Sequence, residues 1–232
     1  MEKYDIIYIL KNDIQSDELK YSIRSVVKNF PYDRIIFYGG CPQDMIPDSW
    51  FYYQQNGTGK ISRVVYTLSD ITKNNKISDN FWLFNDDFFV LKPYDFETCI
   101  CEASIYDTIN RIEKSRGGRP SKYTRILRTT ADELKKLNCD TVGYATHTPI
   151  LINKQKAKYI INNFPNEMSF RCAYGNYYKL PYIVSNDVKI INNNSLPDEN
   201  DVLVSTNDKT FRFGNVGTYI KSLFTEKSKY ER

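Results

Sequence analysis

Short apolar runs alternate, over the first ninety residues, with stretches in which apolar side chains recur every three or four positions. The run YDIIYIL, residues 4 to 10, predicts a strand. A helix is expected to start at Ser16, with Asp17 and Glu18 favourable in its first turn, because Leu19, Ile23, Val26, Val27 and Phe30 then share one face. Pro31 closes it. RIIFYGG, residues 34 to 40, predicts a second strand ending in a glycine pair. An Asn-Gly-Thr-Gly turn at 56 to 59 precedes a helix with Ile61, Val64, Val65, Leu68 and Ile71 at helical spacing, and FWLF, residues 81 to 84, predicts a third strand. This alternation predicts an α/β fold, Rossmann-like, with a doubly wound and mostly parallel sheet in one domain over residues 1 to 232. Further on, TVGYAT (141 to 146) predicts a strand, and the segment around Tyr174, Tyr177 and Tyr178 a helix. Residues 192 to 200 predict a loop, and residues 214 to 232 a closing helix with a frayed, charged end.

The pattern breaks at one place that calls for chemistry. In FWLFNDDFFV, Asn85, Asp86 and Asp87 stand between two apolar runs, where an unpaired carboxylate costs several kcal/mol. Ligands of doubly wound sheets bind at the carboxyl ends of strands, and the acids fall at the end of the third one. A hard divalent cation, Mg²⁺ or Mn²⁺, held by Asp86 and Asp87 with positions left for phosphate oxygens, would answer that cost. So would a capped turn in a β-hairpin between FWLF and FFVLK, its side chains bonded to local backbone.

Composition narrows the setting. The chain is 41% hydrophobic and 15% aromatic, enough for a sizeable core, and no apolar run approaches the roughly 20 residues of a membrane span. The amino terminus reaches an acid too soon for a secretory leader, so a cytoplasmic location is expected. Five cysteines without a C-x-x-C pair fit reduced thiols, and a single histidine, His147, excludes a multi-histidine metal centre. Charge is concentrated in one place. Residues 111 to 128 carry seven basic side chains and one acidic, so the remainder of this +4 chain is negative by two. Residues 111 to 130 therefore read as a basic insertion around a Gly-Gly-Arg-Pro break, either a polyanion contact through Arg116, Arg119, Arg125 and Arg128 or a solvated loop between two helices.

Several segments in order resemble the Stealth family, sugar-1-phosphate transferases of bacterial capsule synthesis and their relatives. These are YDIIYIL, SDELKYSIRSVVKNFPYDRIIFYGGCPQDMIP, FWLFNDDFFV with its Asn-Asp-Asp, ATHTPILINKQKAKYIINNFP, MSFRCAYGNYY and, more weakly, VLVSTNDKTF with Asn207 and Asp208. The chain departs from the family where the first strand continues IYILKND, and where the helix before FWLF offers Arg63 and Asp70 but no glutamate. The resemblance implies a GT-A-like fold and a nucleotide-sugar co-substrate. Asn85 would then belong to the donor site, Asp86 and Asp87 would hold the metal, and Arg24 and Arg171 would pair with phosphate oxygens. His147 would be the base or a hydrogen-bond donor to the departing phosphate, and Asp70 or Asp208 could supply a carboxylate beside the sugar; Tyr38, beside Gly39 and Gly40 at a strand end, is the candidate platform for the nucleotide base. The acceptor expected is a hydroxyl of an envelope saccharide or polyol. DNA carrying a hydroxylated base is the alternative acceptor, and an inactive sugar-binding or nucleotide-binding relative the alternative to an enzyme.

Overall fold

The computed structural model describes residues 3–14, 17–55, 59–93, 97–165 and 167–232. Its elements in chain order are β1 (Asp5–Leu10), α1 (Asp17–Asn29), β2 (Ile35–Gly39), β3 (Ser49–Phe51), α2 (Lys60–Ile71), β4 (Asn80–Phe84), β5 (Phe88–Val90) and β6 (Cys99–Cys101). These are followed by α3 (Ile105–Ser115), α4 (Lys122–Lys136), β7 (Ile150–Asn153), α5 (Lys154–Asn163), α6 (Phe170–Tyr177), β8 (Tyr182–Val184), β9 (Leu203–Ser205), α7 (Asp208–Phe213) and α8 (Asn215–Leu223). The expected helix start at Ser16 and the turn residues 56 to 58 lie outside the described residues.

The main sheet runs β3-β2-β1-β4-β7, parallel except for the antiparallel edge strand β7. Period-two alternation divides its side chains between two cores. Ile6, Tyr8, Ile35, Phe37, Trp82 and Phe84 pack with Leu19, Ile23 and Val26 of α1 on one face. Ile7, Ile36, Phe81 and Leu83 pack with residues of α2 to α6 on the other. Strands buried on both sides read as unbroken apolar runs, which is why the first three were legible.

Three expectations are corrected. Phe81–Phe84 and Phe88–Val90 are not a hairpin, because β4 pairs with β1 and β7 while β5 pairs with β9 in a separate two-stranded sheet. TVGYAT is irregular apart from a single bridge between Gly143 and Glu102, its backbone being held by the Asn176 side chain through Val142, so the strand of this region is β7, after His147. The carboxyl end is not frayed: Tyr230 is buried and donates to Asp48 at 2.7 Å, and Glu231 forms a bidentate pair with Arg24.

Candidate functional site

Asp86 and Asp87 occupy the turn that carries the chain out of the carboxyl end of β4 and into β5. β5 has β9 on one edge and α1 on the other. Ser22 Oγ donates to the Phe88 carbonyl at 2.6 Å, the Val90 amide donates to Ser25 Oγ at 2.9 Å, and Asn29 Nδ2 donates to the carbonyls of Val90 and Leu91. These three side chains are spaced i, i+3, i+7 along one helix face, so α1 does the work of a neighbouring strand and fixes the backbone that bears the acids.

Two further carboxyls stand near that pair. Glu18, buried in the first turn of α1, accepts from Thr206 Oγ1 at 2.6 Å, while the Thr206 amide donates to the Asp87 carbonyl. Burial pushes the Glu18 carboxyl up to about 8, aided by a hydrogen bond shared with Asp208 at the start of α7 and by the charges of Asp86 and Asp87, against the opposing bond from Thr206. Asp86 is raised as well, by burial and then by Asp87, with Lys60 and Lys11 opposing. Asp87 Oδ2 pairs with Lys189 Nζ at 2.8 Å, but its Oδ1 is buried without a hydrogen-bond partner. Among the described residues no three acidic, histidine or cysteine side chains form a closed metal cage.

His147 joins this region through Asp187. Its Nδ1 is 2.9 Å from Asp187 Oδ2, and its amide donates to Asp187 Oδ1 at 3.1 Å. Burial alone would raise Asp187, but the bonds from His147 and the charge of Arg111, 3.2 Å away, hold it below the ordinary carboxylate value. With a carboxylate at Nδ1, the proton of a neutral imidazole belongs on Nδ1 and Nε2 keeps its lone pair. Asp187 and Lys189 are two residues apart on one segment of the chain, the first paired with His147 and the second with Asp87. A bridge from Lys189 to Ser205, with bonds from Ser205 to Val188 and from Ile190 to Ser205, sets that segment's register. One short segment thus ties the imidazole to the acidic turn.

Arg171, in the first turn of α6, reaches β5. Nη1 donates to the Thr148 carbonyl at 2.5 Å, the guanidinium lies 5.7 Å above the Phe88 ring, and Nη2 is buried without a partner. Of the residues singled out in the sequence, Asn85, Asp86, Asp87, His147, Arg171 and Asp208 therefore share this region. Two do not. Arg24 turns to the carboxyl-terminal segment, bound by Glu231 and the Phe224 carbonyl. Tyr38 is buried against Phe51 and Tyr53 with its hydroxyl on Asp70, which also occupies Asp70. Asp187, Lys189 and Thr206 went unread in the sequence, and Glu18 was read there only as a favourable acid in the first turn of α1. Glu18 stands at helical spacing with Ser22, Ser25 and Asn29, the polar side of α1 that faces β5.

No protein-family model matches the chain, and no curated protein matches it. Among solved structures, the galactosyltransferase LgtC in complex with donor and acceptor sugar analogues is similar with a TM-score of 0.51 at 10% identity, over 98% of each chain. An active-site mutant of LgtC gives a TM-score of 0.47 at 10% identity over 97% of this chain and 98% of that one. Mouse xyloside xylosyltransferase 1 in its apo form gives 0.37 at 6% identity over 100% and 96%. The chain has the GT-A-like α/β fold of the galactosyltransferase. Among the described residues no helix is long and apolar enough to cross a membrane.

Proposed function

We propose that the chain is a glycosyltransferase of Stealth-like ancestry that moves a sugar from a nucleotide-sugar to a hydroxyl of a saccharide, polyol or DNA. The observation that carries this reading is the register of residues 187 to 189, which sets a His-Asp pair beside the Asp86-Asp87 turn at the mouth of a parallel sheet. In the reaction, the acceptor oxygen attacks the anomeric carbon, its proton passes to His147 Nε2, and the bond from that carbon to the phosphate oxygen breaks. A nucleoside diphosphate departs with the electron pair. Asp187 holds the imidazole and stabilises its charged form. Arg171, with Nη2 unspent in a buried position, suits a phosphate oxygen of the departing group.

The acidic turn suits Mg²⁺ or Mn²⁺: Asp86 and Asp87 would hold the ion, and Asp87 Oδ1 is a buried oxygen donor with nothing else to bind. Magnesium is commonly held by one or two carboxylates plus substrate phosphates, so the absence of a closed cage among the described residues fits that use. When bound, the ion would neutralise charge on the pyrophosphate.

The test is the product nucleotide. Incubation with a panel of nucleotide-sugars and Mn²⁺ is expected to release a nucleoside diphosphate, and His147→Ala to slow that release about a hundredfold. Release of the monophosphate would replace sugar transfer by sugar-1-phosphate transfer. No turnover with any donor would leave an inactive binding protein.

A further inference from the structure

We propose that the helical hairpin of α3 and α4 is a docking surface for the phosphate backbone of double-stranded DNA. Of the seven cations between residues 111 and 128, three are neutralised: Arg111 by Glu102 and Asp187, Lys122 by Glu167 and Arg128 by Glu113. The other four, Lys114, Arg116, Arg119 and Arg125, are exposed and have no acidic partner among the described residues. They cluster about the tip, and the tip is built rather than slack. Gly117 and Gly118 adopt left-handed φ values of 66° and 79°, their amides close α3 onto Lys114 and Glu113, and Ser121 caps α4 with a reciprocal bond to Thr124. A Cβ on either glycine would meet nothing within 4 Å, so the tip stands clear of the protein.

The chemistry of the surface selects its partner. The residues from Lys114 to Pro120 expose only polar, glycine and proline groups, with no aromatic ring to stack an unpaired base and no apolar side chain to enter a bilayer. Three arginines and a lysine without counter-charges suit a rigid, densely charged phosphate polymer, which such side chains bind without reading sequence. Position adds to charge. Arg111 touches Asp187, the partner of His147, and Arg116, the cap that follows α3, lies five residues on, about 7.5 Å further along the helix axis. A duplex lying on the tip therefore runs beside the candidate site. Docking itself needs no donor and stands whether or not the sugar chemistry does.

The experiment is fluorescence anisotropy of a labelled random-sequence duplex without nucleotide-sugar, over a salt series. Binding is expected at low salt, with a logarithmic salt slope that falls by about 3.5 when Lys114, Arg116, Arg119 and Arg125 are all replaced by Gln. Replacing Lys3, Lys73, Lys76 and Lys158, which are exposed elsewhere, is expected to leave most of the slope. Circular dichroism and melting of each variant verify the fold. No binding at low salt, an equal loss in the two variants, or tighter binding to vesicles of anionic lipid than to the duplex would each overturn the proposal.

Discussion

At the scale of single residues, the proposed chemistry depends on which imidazole nitrogen carries the proton. Asp187→Asn keeps the size of the side chain but removes the charge that holds His147 in one tautomer. It is expected to lower the release of product nucleotide about a hundredfold or more, and combining it with His147→Ala to cost little beyond the histidine change alone. Steady-state rates of the two single variants and the double variant check this, and additive losses would mean that the residues act apart. The two halves of this pair differed in legibility. His147 is the only histidine and precedes a proline, whereas Asp187 is one of several acids in polar sequence and shows its role only once the fold brings it across 40 positions. Asp86 and Asp87 were legible for the opposite reason: carboxylates inside an apolar run are costly wherever the chain puts them.

At the scale of elements, the hold of α1 on β5 makes its own prediction. Ser22 and Ser25 are buried, and each hydroxyl bonds a backbone group of β5 that no strand pairs on that side. Replacing both by Ala is expected to destabilise the protein by about 2–4 kcal/mol, a drop of several degrees in Tm, measured by urea or thermal unfolding. A loss no larger than that of an exposed serine pair would remove α1 from the support of the acidic turn. Elements with a strong period were read correctly: β1, α1, β2, α2 and β4 fall where the apolar rhythm put them. β6 and β8 were not, being three residues each and paired in parallel across some eighty positions, with no local pattern to mark the match. TVGYAT misled because alternating apolar and small residues also suit an irregular segment anchored by one asparagine.

At the scale of the whole molecule, the acidic centre makes stability depend on pH. Glu18, at about 8 in the folded state against an ordinary 4.5, keeps a proton that the unfolded chain gives up. Asp86 is shifted the same way. Since the folded state binds more protons across this window, stability is expected to fall as pH rises from about 4.5 to 8, and Glu18→Gln to flatten that fall. Saturating Mn²⁺ is expected to raise Tm most at the upper end, where the acids repel one another, and Asp87→Asn to abolish the rise. Differential scanning fluorimetry over pH, with and without Mn²⁺, reads both effects. An unchanged Tm with Mn²⁺ at pH 8 would count against a metal at this turn.

The clasp at the carboxyl end has a consequence for the order in which the chain can mature. Arg24 belongs to the first helix, yet the carboxylate that receives it arrives 207 positions later, on the same strip as Tyr230 and the bridge from Glu231 to Met45. On a ribosome adding about 5–20 residues per second, α1 therefore spends ten seconds or more with a guanidinium designed for a partner not yet made. The central sheet can gather around β1, β2 and β4 in that interval, but the clasp forms only once residues 207 positions beyond Arg24 have been made.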